Sequence, residues 1–438
     1  MCANPRQQIG DKIPPMFRPK WLKALILVLI LGFAAIMVYQ IPAVNRRLSW
    51  RVDIALTYLR GVFQPAVAVP TPKSGGVASA AKTAVVTSLP PSPSATPSPT
   101  QVDILATSPA TFTSTPTPTA IPERVNLPAP GWEQQDWNNC GPAALSMYLN
   151  YYGWEGDQFD IAAVLKPQRN DRNVNVEELD YFTRNYAGWL TALYRVGGDL
   201  DLIRELIAAE IPVLIEASFF FDGAYWPNDD LWAAHYLLVT GYDDADQTFI
   251  VQDTYHGPNQ ILSDKTLNAY WEPFNHVFVL IFLPGQEETV KSILGSAWDE
   301  AINRQQALEA AQAEIKADSQ DAFAWFNLGT NLLYFERYEE AAAAYDEART
   351  IGWPQRMLRY QFGPFFAYFH SDRTEDLLTL TEYALQRTPN SEEALLWHGW
   401  ALYRMGDLNG AVADFQSALE ANYTYVDAQY ALDFVLNP

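Results

Sequence analysis

Cysteine is almost missing from this chain: Cys2 and Cys140 are the only two among 438 residues. A disulfide-stapled scaffold is thereby excluded. Histidine is nearly as scarce, at five. No H-E-x-x-H, cysteine-pair or clustered-histidine pattern offers a metal site, so neither a metal nor a cofactor is expected. Positive charge is also short. Residues 1–64 hold nine Lys/Arg against two Asp/Glu, a net of +7, which leaves −29 for the rest of a chain whose total is −22. A body this acidic is a poor binder of nucleic acid, and that function is set aside. Apolar and aromatic residues are plentiful, at 49% and 13%. Together with the length they indicate two or three globular domains.

One long uncharged run stands near the start. "ALILVLILGFAAIMVY" begins at Ala24 and continues through Gln40 and Ile41 to Val44, reaching the roughly 20 residues a bilayer-spanning helix needs. Arg6, Lys12, Arg18, Lys20 and Lys23 precede it, while Arg46, Arg47, Arg51 and Arg60 follow. The five upstream charges barely outvote the four downstream ones; the exposed, stalk-like composition after residue 64 decides the orientation, with the N-terminus in the cytoplasm. A cleaved signal peptide is the competing reading, but no small-x-small cleavage site follows the run. Residues 45–63 read as a juxtamembrane amphipathic helix. From 64 to 130 the composition turns to Pro, Ser, Thr and Ala ("PPSPSATPSPT", "TSTPTPTAIP"), which suits a disordered, exposed stalk. As polyproline II it would reach about 200 Å at about 3.1 Å per residue. The expected organisation is a basic cytoplasmic segment over 1–23, a single membrane span over 24–44, and everything after it outside the cell membrane. On that topology Cys2 and Cys140 cannot pair.

Cys140 sits where a helical pattern begins. "CGPAALSMYLNYYGW" places Ala144, Met147, Tyr148 and Tyr151 at helical spacing, with Pro142 in the first turn and Gly153 as the stop. A thiolate at a helix N-terminus is favoured by unpaired N–H groups and the helix dipole, by about 1 kcal/mol. Acting as a nucleophile requires an imidazolium partner as well. Three histidines lie in the same region. His235 heads the strand-like "HYLLVTGY", and "TFIVQD" runs back from a turn around Ala245 to end on Asp253. In that hairpin His235 falls opposite, or one diagonal step from, residues 253–255, within reach of a carboxylate–imidazole bond. Asp253 would then orient His235 and stabilise its charged form. His256, in the turn "YHGPN", reads as a surface residue, and His276 is the fallback base. Gln134 and Gln135, six and five residues before Cys140, both offer an amide to the oxyanion of a tetrahedral intermediate; the residues alone do not choose between them.

The rest of the segment reads as helices followed by strands. "DQFDIAAVLK" is a second helix, Asn175 with Glu178 resembles a capping box for a third, and Asp199 caps a fourth. Strands follow at "PVLIEAS", "HYLLVTGY", "TFIVQD" and "HVFVLIFL". The expectation is an α+β domain over 131–286.

Gln-x5-Cys-Gly-Pro-Ala-Ala, then His-Tyr-Leu-Leu-Val-Thr-Gly, then an Asp closing a strand, resembles the bacteriocin-processing cysteine peptidases. These are a papain-like family that removes double-glycine leader peptides. The resemblance covers about 155 residues, and it implies Cys140 as nucleophile, His235 as base, Asp253 as orienting acid and Gln134 as oxyanion donor. One departure matters: the exporter-fused members carry a nucleotide-binding loop and six membrane spans, and this chain has no G-x-x-x-x-G-K-[ST]. It looks closer to stand-alone exported relatives.

The last third repeats itself. Trp325, Leu328, Gly329, Leu332, Ala341, Tyr345 and Ala348 stand at tetratricopeptide spacing, and Leu395, Gly399, Leu402, Ala411, Phe415 and Ala418 restate the pattern. A degenerate unit with Tyr368, Leu377, Ala384 and Pro389 fits between them, and residues 287–320 are helical and cap the stack. An all-α solenoid over 287–438 is expected, binding a protein partner. The combined expectation is a membrane-anchored extracytoplasmic cysteine peptidase acting on a peptide or protein by hydrolysis or transpeptidation. The alternative is an inactive peptide-binding surface adaptor.

Overall fold

The uncharged run at the N-terminus folds as a helix that ends sooner than its composition suggests. In a computed structural model, which describes residues 20–73, 121–168 and 171–437, α1 spans Lys20–Tyr39 and α2 spans Pro42–Phe63. The break falls inside the run expected to span a membrane over 24–44. Pro42 has no N–H to continue the i→i−4 ladder, yet its fixed φ suits the first turn of a new helix. Among the described residues no helix is long and apolar enough to cross a membrane. The uncharged part of α1, Ala24–Tyr39, covers about 24 Å at about 1.5 Å per residue, short of a hydrocarbon layer of roughly 30 Å. Its large apolar side chains, from Leu25 to Val38, are exposed. The chain divides into two compact units, Met1–Leu59 and Arg60–Pro438.

The second unit holds a seven-stranded sheet. In chain order its elements are β1 (Arg124–Asn126), α3 (Cys140–Tyr151), α4 (Gln158–Leu165), α5 (Val176–Tyr186), β2 (Thr191–Arg195), α6 (Leu200–Ala208), β3 (Val213–Phe220), β4 (Trp232–Asp243), β5 (Thr248–Asp253), β6 (Gly257–Ser263), α7 (Asp264–Trp271) and β7 (Phe278–Phe282). The strands lie in the order β2-β7-β3-β4-β5-β6, with every pairing antiparallel. β1 pairs with the far end of β4, through Asn126↔Gly241 to Arg124↔Asp243, where β3 has ended. The anticipated caps form: Asn175 and Glu178 close a capping box, and the Asp199 carboxylate accepts from Leu202 N at 2.7 Å. Side chains alternate along the strands. Leu214, Tyr236, Leu238, Val279 and Ile281 join the core with Tyr148, Ile161 and Leu179 from α3, α4 and α5. Ile215, Leu237, Val239, Phe278 and Leu280 join the core with Ile203, Leu206 and Trp271 from α6 and α7. Strands β1, β2 and β6 and helix α7 were not expected. β2 and β6 are edge strands, and β6 is mostly solvated, so they carry little of the apolar pattern that marks the centre.

Helices α8 (Glu287–Leu294) and α9 (Glu300–Ala317) lead into a repeat array. It comprises α10 (Ala322–Tyr334) with α11 (Tyr338–Ile351), α12 (Gly363–His370) with α13 (Thr374–Arg387), α14 (Glu392–Arg404) with α15 (Leu408–Ala421), and a last helix α16 (Val426–Leu436). The recurring glycines mark close helix approach: a Cβ on Gly329 would lie 2.8 Å from the Tyr345 ring, and one on Gly399 2.5 Å from the Phe415 ring. One apolar cluster runs from the sheet into the array, joining Tyr148 and Val279 to Trp325, Tyr345 and Tyr368.

The segment expected as a linker over 64–130 is ordered at both ends. Its later end forms β1, so the sheet domain begins before residue 131. Its earlier end, Gln64–Lys73, is pinned to the second helices of two repeat pairs. Arg349 of α11 donates to Pro70 O (2.9 Å) and Thr71 O (3.3 Å). From α13, Asp376 accepts from Lys73 N (2.9 Å), Arg387 donates to Gln64 O (2.6 Å) and Tyr383 to Val67 O (3.4 Å). Val69 is buried in the core beneath. Arg349 and Asp376 form a fully buried ion pair at 3.1 Å. Residues 74–120 and 1–19, with Cys2, lie outside the described residues.

Candidate active site

Cys140 opens α3 and is partly buried against the core. Gly141 beside it is closely packed: a Cβ there would lie 3.3 Å from the Tyr236 ring and 3.4 Å from Val174. The preceding loop is pinned in detail. Gln158, at the start of α4, accepts from Asp136 N and from Asn139 Nδ2, both at 2.7 Å. Its Nε2 donates to the Glu133 carboxylate and to Gln134 O, both at 2.8 Å. Lys166 Nζ donates to Asn138 O at 2.6 Å, where Asn138 has a φ of 53°. Asn is among the few residues that adopt this left-handed region readily.

The same loop is stitched to the end of β5. Trp132 Nε1 donates to Asp253 O (2.8 Å), Gln135 N to Thr254 O (3.0 Å), and Thr254 Oγ1 to Gln135 Oε1 (2.8 Å). The two glutamines therefore differ: Gln135 is engaged with Thr254, whereas the exposed Gln134 side chain makes no hydrogen bond to any described residue.

His235 lies in β4. The register pairs Leu237 with Asp253, after a bulge between Val239 and Gly241, which puts His235 one step diagonally from the acid. His235 Nε2 and Asp253 Oδ1 are 2.8 Å apart, and both residues are buried. Burial opposes a charge on the ring, but the Asp253 hydrogen bond and then the Cys140 sulfur override it and raise the His235 pKa to about 9. His235 Nδ1 is buried with no hydrogen-bond partner among the described residues. Burial alone would raise the Asp253 pKa; the bonds and charge from His235, with further bonds from His256, hold it well below the usual carboxylate range.

His256 is exposed, as the sequence reads it, and is also bound: its Nδ1 lies 2.7 Å from Asp253 Oδ2, and its backbone N–H donates to Oδ1 at 3.0 Å. The Asp-x-x-His spacing across the turn is the signal that could have found it. His276, the fallback base, is a core histidine edge-on to Trp271 at 5.2 Å, and burial pushes its pKa down to about 4. Sequence reasoning also missed Glu216. This buried acid on β3 lines a cavity of about 270 Å³ with Glu177 and Arg304. Burial, then Glu177 and the Cys140 sulfur, raise its pKa well above the usual range.

Aromatic rings wall the imidazole. Phe219 lies 4.9 Å from the His235 ring and 5.2 Å from Tyr255. Trp226 and Trp232, whose placement the residues left open, are both core residues, and Trp232 stacks on Phe274 at 5.9 Å.

The domain that holds Cys140, His235 and Asp253 matches a known family model. Residues 127–279 match the family model described as the Peptidase_C39 like family. This C39-like domain supports a peptidase-like function. A solved putative C39-like peptidase from Bacillus anthracis is 15% identical over 36% of this chain and 98% of its own, at a TM-score of 0.29. A double glycine motif protease from an AMS/PCAT transporter, solved with its leader peptide, is 14% identical over 36% of this chain and 94% of its own, at 0.27. YrrB, a TPR protein with an unusual peptide-binding site, is 20% identical over 34% of this chain and 79% of its own, at 0.28. At these TM-scores the likenesses carry no functional weight. No curated protein matches the chain.

Proposed function

We propose that the protein is a cysteine peptidase in which Cys140, His235 and Asp253 act as a triad. The observation that supports this most directly is the 2.8 Å bond between His235 and Asp253, in a ring whose proton affinity the Cys140 sulfur also raises. With Nε2–H donated to Asp253, Nδ1 is the ring position left to exchange a proton with the thiol. The thiolate attacks the peptide carbonyl carbon while His235 holds the proton. As the C–N bond breaks, that proton passes to the leaving amine and a thioester remains on Cys140. His235 then takes a proton from water, which attacks the thioester and releases the acid; an amine in place of water gives transpeptidation. Gln134, whose amide is uncommitted, and the Cys140 N–H hold the oxyanion. His256 is a second donor that keeps Asp253 ionised.

In the same reading the exposed apolar face of α1 buries itself in the cell membrane, with local thinning making up its shortfall in length. The N-terminus is then cytoplasmic, the C39-like domain extracytoplasmic, and the repeat array takes a protein partner.

The test combines two measurements on the full chain. Cys140→Ala should abolish cleavage of a proteome-derived peptide library, and His235→Ala should lower its rate by about 10²–10⁴. Site-resolved carbamidomethylation of Cys140 by iodoacetamide near neutral pH should slow in His235→Ala. An unchanged rate in that variant would leave the sulfur an inert thiol and favour the peptide-binding adaptor.

A further inference from the structure

The loop between β3 and β4 backs Phe219, the ring beside His235, through Phe221, and the repeat array holds its shape. Arg356, between α11 and α12, is buried. Both its Nη1 and Nη2 donate to the Asp229 carboxylate at 2.6 Å, and Nη1 also reaches Trp232 O at 3.0 Å. Its guanidinium lies 3.9 Å from the centre of the Trp226 ring and 5.1 Å from that of Phe221. Next to it, Gln355 N donates to Asp230 Oδ2 at 2.7 Å, and Gln355 Oε1 accepts from Trp226 Nε1 at 3.0 Å. A fork-shaped cation, a buried carboxylate, a carbonyl and an indole face thus fix one loop from the neighbouring module. From Phe221 the rings continue to the imidazole: Phe221 to Phe219 at 4.9 Å, then Phe219 to His235 at 4.9 Å and to His256 at 5.7 Å.

We propose that Arg356 is a positioning residue of the peptidase, supplied by the repeat module and acting on His235 through Phe221 and Phe219. The proposal rests on the triad reading above. Asp253 fixes one ring nitrogen but leaves the imidazole free to pivot about that bond; Phe219, packed beside the ring at a tilt of 51°, limits this freedom, and Arg356 holds Phe219 from behind through Phe221. The array is then a component of the active site as well as a docking element.

Arg356→Lys tests this, because lysine retains the charge towards Asp229 but loses the bidentate fork and the stacking on Trp226. Phe221→Leu is the second variant. It leaves the ion pair intact, preserves apolar burial and interrupts the ring sequence, so it decides the matter should Arg356→Lys fail to fold. The readouts are Cys140 carbamidomethylation and peptide-library cleavage against pH, both normalised to folded protein. The wild-type and His235→Ala proteins set the two ends of the alkylation scale. Both variants should move towards the His235→Ala end, with cleavage lowered by up to about 10²-fold, as expected for a small misplacement of a catalytic group. A variant with a lowered melting temperature but wild-type alkylation and pH dependence per folded molecule would show Arg356 to be only structural. Should wild type and His235→Ala alkylate alike, the triad itself fails, an outcome distinct from failure of the Arg356 proposal.

Discussion

Replacing Asp253 with asparagine should remove a defined, pH-dependent share of stability. The His235 pKa is raised from 6.5 to about 9 in the folded protein. A folded value above the unfolded one means that the protonated ring stabilises the fold fully below about pH 6.5 and loses that contribution as pH climbs through about 9. At about 1.4 kcal/mol per tenfold change in proton affinity, this linkage amounts to about 3 kcal/mol. The imidazole is buried, so solvent screening does not reduce the figure much. In Asp253→Asn the carboxylate is gone, burial governs, and the ring stays neutral across the window. Asp253 itself does not titrate there, because its pKa is held low. Other groups do: Asp171, Glu178 and Glu314 are raised to about 7 and Glu272 to about 8. They are common to both proteins, and their contribution cancels in the difference. Urea unfolding of wild type and Asp253→Asn from about pH 5.5 to about pH 10 should show a gap that is widest at the acid end and narrows by about 3 kcal/mol. Parallel curves would refute the reasoning, because His235 would then be neutral throughout.

Two further outcomes concern the framework. Gly399→Ala should destabilise the array by about 1–3 kcal/mol through overpacking against Phe415, measured by thermal unfolding, and Phe415→Leu in the same chain should recover part of the loss. Val69→Asp should free the pinned segment. Losing burial worth about 1.5–3 kcal/mol corresponds to about 10- to 100-fold faster hydrogen exchange at the Lys73 amide, and an unchanged rate would mean that Val69 does not hold it.

The sequence was most legible where one face is apolar and the pattern local. β5 coincides with "TFIVQD" at both ends, and counting back around the turn places His235 beside Asp253. Gly329 and Gly399 announced the array because only a missing Cβ admits the Tyr345 and Phe415 rings. What escaped depends on contacts distant in the chain or on polar pinning. Gln158 looks like any helix-opening glutamine until the loop before Cys140 folds over it. Arg356 sits more than a hundred residues from the loop it holds. Little in "QPAVAVPTPK" distinguishes a docked peptide from a spacer, since prolines suit both, and the docking is read mostly by backbone groups that carry no sequence signature.

That docking bears on the two anchors of the proline-rich stretch. Lys73 is fastened to α13 and Arg124 is paired into the sheet, so the described residues on either side of it belong to one body. Between two such fixed anchors, doubling the length of a flexible chain costs only about 0.6 kcal/mol of closure entropy.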